Sequence, residues 1–75
     1  METNSNILIF ATNIKTEKDK KLVSPVLNSH PKIEKWNIDL EDIDSVLRIE
    51  TKTLNTEDII KIIAEQDYKC TELSE

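Results

Sequence analysis

The sequence predicts a small α+β fold. The expected form is a ferredoxin-like βαββαβ sandwich, a four-stranded antiparallel sheet with two helices on one face. Three observations predict it. Four short stretches alternate or concentrate apolar residues as strands do. Two others repeat them at helical spacing behind a capping residue. Their order is strand, helix, strand, strand, helix, strand, which two right-handed split crossovers close into one sheet. Of 75 residues 37%, about 28 side chains, are hydrophobic, enough for one domain over 1–75 with one thin core. Order is expected over about 6–73, and polar Met1–Ser5 should fray.

Each element has a local cause. Asn6 to Thr12 is a short run rich in branched and aromatic residues, hence a strand. Ile7, Ile9 and Ala11 share one side and Leu8, Phe10 and Thr12 the other, and both sides are apolar, as in a central strand. Thr16 then caps a helix, with Glu17 and Asp19 in the first turn, where the helix dipole favours carboxylates. Leu22, Val23, Val26 and Leu27 follow at helical spacing to about Asn28. Pro25 bends that helix, since it has no amide to bond back to Lys21.

Ile33 to Leu40 alternates, with Trp36, Ile38 and Leu40 opposite Asn37 and Asp39. Glu41 to Asp44 is a polar turn, and Ser45 to Thr51 alternates again, completing a hairpin. Asn55 caps a second helix, whose Ile59, Ile60, Ile62, Ile63 and Ala64 form a broad apolar stripe. Asp67 ends it in a left-handed conformation, and Tyr68 to Leu73 is the last strand. The expected core is Ile7, Ile9, Trp36, Ile38, Leu47, Ile49, Ile60, Ile63 and Tyr68. Leu8, Phe10 and Val46 are then left on the open sheet face.

Composition excludes several functions. The net charge is −5 and the pI near 4.8, so the chain repels phosphate backbones and nucleic acid is not an expected partner. No apolar run is long enough to cross a bilayer, and Ile7–Phe10 lacks the flanks of a signal peptide. A single cysteine makes no internal disulfide, and a cytoplasmic location is the default. With no glycine there is no phosphate-cradling loop and no dinucleotide fingerprint, so no nucleotide cofactor is expected. Positive φ must fall to residues such as Asn13, Asn28, Asp44 or Asp67.

The spacing of the anchors resembles the heavy-metal-associated (HMA) domain of small copper chaperones and metal-pumping ATPases. In that family the first strand leads to Gly-Met-x-Cys-x-x-Cys and the first helix carries Val-x-x-Ala-Leu. A Leu-Pro-Gly-Val-x-x-Val-x-Val-Asp-Leu segment follows, and the last helix ends in Gly-Tyr. Val23, Val26 and Leu27 match the helix. Pro31, Ile33, Ile38, Asp39 and Leu40 fall in register with the strand segment, and Asp67-Tyr68-Lys69-Cys70 follows the second helix. The resemblance covers roughly residues 6 to 73. It places Asn13 at the family's glycine, Ile14 at its methionine, and Thr16 and Asp19 at its two cysteines. A hydroxyl and a carboxylate do not replace thiolates for a soft metal. The resemblance therefore implies the fold without its metal site.

The remaining candidates are few. Cys70 reads as a small buried hydrophobe. His30, the only histidine, reads as a solvated or capping residue before Pro31. Asp39, Glu41, Asp42 and Asp44 lack the glycine and closing glutamate of a calcium loop and read as an acidic turn. Nothing assembles a nucleophile with a base, so no enzymatic activity is expected. The function expected is a non-catalytic module that binds a protein partner, or itself, through the open sheet face. Leu8, Phe10, Val46 and Arg48 would carry that contact, and no metal, membrane or nucleic acid would be involved. The alternative is a copper or zinc carrier with unconventional ligands, Asp19 and His30.

Overall fold

A computed structural model of the chain describes residues 6–73. The expected fraying of Met1–Ser5 concerns residues outside that range. The elements are β1 (Asn6–Thr12), α1 (Glu17–Ser29), β2 (Lys35–Asp39), β3 (Val46–Thr51), α2 (Thr56–Glu65) and β4 (Cys70–Glu72). The sheet is antiparallel in the order β2-β3-β1-β4, so β2 and β4 are its edges. Buried residues of both helices (Val23, Leu27, Ile59, Ile63) join one cluster with Phe10, Ile38, Leu47 and Ile49 of the sheet. Both helices therefore cover the same face, and the fold is the ferredoxin-like sandwich the sequence predicts.

The caps form as their residue types dictate. Thr16 Oγ1 accepts from the Asp19 amide at 3.0 Å. At α2, Asn55 and Asp58 form a reciprocal capping box, each side chain accepting from the other's amide at 3.0 and 2.9 Å. α1 continues through Pro25, with the Ser24 hydroxyl donating to the Lys20 carbonyl at 2.8 Å. The end of α2 is a Schellman turn. The Asp67 amide donates to the Ala64 carbonyl and the Tyr68 amide to Ile63, with Asp67 at φ 69°. Among the described residues the other left-handed one is Ser45, at φ 45°, one position beyond the Asp44 that the sequence suggested.

The orientation expected for β1 is overturned. Phe10 is fully buried, and Leu8 packs against the core. Ile7 is 54% exposed, and Ile9 is only partly covered. The expected outer placement of Leu8 and Phe10 is thus inverted. The physical reason lies beyond the strand: Leu8, Phe10 and Thr12 share a side, and Ile14, fully buried, carries that side on into the loop. The even-numbered series anchors in the core at four points, whereas the odd-numbered series runs out at Asn13. Elsewhere Ile38, Leu47, Ile49 and Ile63 are buried as expected, and Trp36, Ile60 and Tyr68 are partly buried against the core.

Candidate functional site

The segment between β1 and α1 is where the HMA resemblance places a metal loop. Here it is held shut by its own hydrogen bonds. Asn13 Oδ1 accepts from the Lys69 amide at 2.8 Å, and the Asn13 amide donates to the Lys69 carbonyl at 3.2 Å. Ile14 is sealed into the core, and its amide donates to Thr12 Oγ1 at 3.1 Å. Lys15 Nζ donates to the Ile43 carbonyl at 2.8 Å, tying the loop to the β2–β3 turn. Thr16 is consumed as the α1 cap.

Asp19 is committed on both oxygens. Oδ2 accepts from the Lys15 amide at 3.3 Å, and Oδ1 accepts from the Tyr68 hydroxyl at 2.8 Å. The Schellman turn after α2 is what aims Tyr68 at that carboxylate. The phenol's hydrogen bond, with the Thr16 and Lys15 bonds behind it, holds the Asp19 carboxyl below its ordinary range despite some desolvation. The same bond, with desolvation and the charges of Asp19 and Asp67, pushes the phenol up. Sequence reasoning missed Ile14, Thr12 and Tyr68 as parts of this closure. The period-2 series through Thr12 to Ile14 was the available signal for the first two.

The residues proposed as alternative ligands do not meet. Asp19 lies in the first turn of α1 and His30 is its C-cap, about 16 Å apart along the axis. His30 Nδ1 instead accepts from the Lys32 amide at 3.1 Å. The acidic turn bonds itself as well: Asp39 Oδ1 accepts from the Glu41 amide at 3.0 Å and Asp42 Oδ1 from Asp44 at 2.8 Å. Cys70 is buried, and burial pushes its thiol up to about 11, away from the thiolate that a metal needs. Among the described residues no three His, Cys, Asp or Glu side chains group to hold a metal ion.

The open sheet face is the other candidate, and the inversion of β1 changes its composition. Its rows follow the pairing register. Lys35, Glu50 and Ile7 lie side by side, then Asn37, Arg48 and Ile9, then Asp39 and Val46, with Ala11 and Thr71 beyond. The apolar centre is therefore Ile7, Ile9, Ala11 and Val46. Shallow depressions flank Arg48, one lined by Lys35, Asn37 and Glu50, the other by Asn37, Asp39 and Asp42. Of the four predicted contact residues, Val46 and Arg48 are on this face, and Leu8 and Phe10 are on the other.

Solved structures share this architecture. The copper(I)-loaded first domain of the human copper chaperone for SOD1 superimposes with a TM-score of 0.79 at 16% identity, covering 92% of this chain and 93% of that one. The apo HMA domain of a copper chaperone for superoxide dismutase gives 0.78 at 13%, covering 99% and 74%. The CsoZ metallochaperone gives 0.67 at 23%, covering 91% and 96%. No family model and no curated protein matches the sequence. At these identities the likeness establishes the fold, that of a copper-chaperone HMA domain. The single cysteine, at position 70 in β4, leaves no pair of thiolates at Thr16 and Asp19.

Proposed function

We propose that this chain, with an HMA scaffold and oxygen groups where the chaperone fold carries thiolates, is a non-catalytic cytoplasmic module that binds a protein partner through its open sheet face. One observation carries the reading. An apolar strip of Ile7, Ile9, Ala11 and Val46 is left partly exposed and is rimmed by Lys35, Arg48, Glu50 and Asp39. An apolar centre inside a charged rim is the anatomy of a protein contact. The closed loop supports it from the other side, because Thr16 and Asp19 are already committed to capping and to Tyr68.

The test replaces the centre without straining the sheet. Ile7→Lys places a cation across from Glu50, and Ile9→Asp places an anion across from Arg48. The doubly substituted chain should keep its circular dichroism and lose the partners that the native chain captures from its own cell extract. Unchanged capture would overturn the proposal. Copper(I) and zinc titrations by calorimetry should show no one-to-one binding in the micromolar range or tighter.

A further inference from the structure

The edge strand β2 carries a pattern that the open-face reading does not use. Two loop bonds fix which way its backbone points. The Leu73 amide donates to Ile9 and the Asn13 amide to Lys69, so odd-numbered β1 residues bond toward β4. Even-numbered β1 residues then bond toward β3, which leaves Val46, Arg48 and Glu50 to bond β2. Lys35, Asn37 and Asp39, their partners, are satisfied on that side. Trp36 and Ile38 therefore aim their N–H and C=O groups at the open edge of the sheet.

We infer that β2 pairs with β2 of a second copy of this chain, antiparallel about a two-fold axis at Asn37, to make one continuous eight-stranded sheet. The side-chain sequence Lys35-Trp36-Asn37-Ile38-Asp39 is self-complementary under that operation. Trp36 faces Ile38 of the second copy, and the two-fold axis repeats the pair, so four backbone hydrogen bonds form from the edge groups. Lys35 faces Asp39 of the second copy, and Asp39 faces its Lys35, on the open side of the sheet. These are non-hydrogen-bonded pairs, in which side chains approach most closely. Trp36 and Ile38 meet on the helix-covered side, where Trp36 is only partly buried in the single chain.

Charge selects this register over its competitors. A parallel pairing sets Lys35 beside Lys35 and Asp39 beside Asp39. A two-residue slip one way sets Lys35 opposite Asn37 and Asp39 opposite Ile33, and the other way sets Asp39 opposite Asn37, with Lys35 meeting Glu41 only beyond the strand end. Charges on an edge strand ordinarily block pairing with another chain. Here the lysine and the aspartate stand equidistant from Asn37 with opposite signs, so among pairings confined to the strand the two-fold arrangement alone turns the block into a match. The inference is independent of the open-face proposal, which uses Ile7, Ile9 and Val46.

The test uses the full 75-residue chain. Sedimentation equilibrium up to roughly 1 mM should show a monomer–dimer equilibrium. The amides of Trp36 and Ile38 should exchange with solvent more slowly as concentration rises, while that of Asn37, bonded within the sheet, stays constant. Lys35→Glu and Asp39→Lys should each weaken the dimer roughly tenfold, because each sets like charges opposite one another twice per dimer. Their combination restores opposite charges and should recover the native constant, which separates lost pairing from lost folding. A chain that stays monomeric overturns the inference. So does a dimer whose Trp36 and Ile38 amides remain unprotected, or a double reversal that fails to recover. Side-chain methyl signals that shift with concentration only at Ile7, Ile9 and Val46 would assign the association to the open face and overturn the inference.

Discussion

The orientation of β1 decides which side chains face a partner, and a pair of substitutions tests it directly. Phe10 is fully buried at the centre of the sheet, in register with Leu47. Phe10→Ala removes the ring and leaves a cavity, at a cost of about 3–5 kcal/mol. A chain of 75 residues has roughly 4–11 kcal/mol of total stability. The substitution therefore removes between about a quarter and all of it. Ile7 is 54% exposed, so Ile7→Ala returns little apolar area to water and should cost less than about 1 kcal/mol. Urea unfolding followed by circular dichroism reads the difference. With a slope near 1 kcal/mol per molar, Phe10→Ala should lower the midpoint by about 3 M or leave no folded baseline. Ile7→Ala should move it by less than about 1 M. Equal losses, or a larger one for Ile7→Ala, would refute the assignment of faces and with it the composition of the proposed contact surface.

Other expectations follow from single contacts. Ser45 is buried at positive φ, and its hydroxyl has no hydrogen-bond partner among the described residues, so Ser45→Gly should stabilise by about 1 kcal/mol after glycine's entropic cost, raising the urea midpoint. Thr51 Oγ1 donates to the Lys32 carbonyl at 2.6 Å and accepts from the Thr53 and Leu54 amides, so Thr51→Val should cost about 1–3 kcal/mol in the same assay. The Asp19 carboxyl is depressed in the folded chain, so its contribution to stability is complete above the ordinary carboxylate range and is lost as pH falls through the depressed value. Tyr68→Phe should return that carboxyl toward 3.8 in a carbon-detected NMR titration and flatten the acid side of the stability profile. Cys70, with its thiol near 11, should be about a thousandth thiolate at pH 8 and react with a disulfide reagent far faster in urea than in buffer.

Most of the fold was legible because its determinants are local. Thr16 and Asn55 cap helices by chemistry that needs no tertiary context, and Asp67 takes the left-handed place because no glycine is present to take it. The hairpin faces were legible because Arg48 and Asn37 cannot share a side with Leu47 and Ile38 in a core. β1 was not, because Ile7 and Ile9 are as apolar as Leu8 and Phe10 and periodicity does not rank them. Strand ends were overestimated where alternation outran pairing: β4 is three residues, Cys70–Glu72, against the six expected over Tyr68–Leu73. At the candidate site, the loss of the thiolates could be read from Thr16 and Asp19. The Tyr68–Asp19 bond could not, since it spans 49 positions and depends on the turn after α2.

A strand that is oily on both flanks has a weakness: sliding by one residue exchanges its inward and outward sets at little hydrophobic cost. What forbids the slide in β1 sits at its end, where Ile14 holds the even-numbered series in the core and Thr12 adds a polar lock. Thr12, at its last position, donates through Oγ1 to the Ser45 carbonyl at 2.7 Å and receives the Ile14 amide at 3.1 Å. A displaced strand would forfeit the bond to Ser45 and draw Ile14 out of the core. The buried threonine and the isoleucine two residues on thus act as the index mark by which the chain distinguishes its native sheet from a shifted copy.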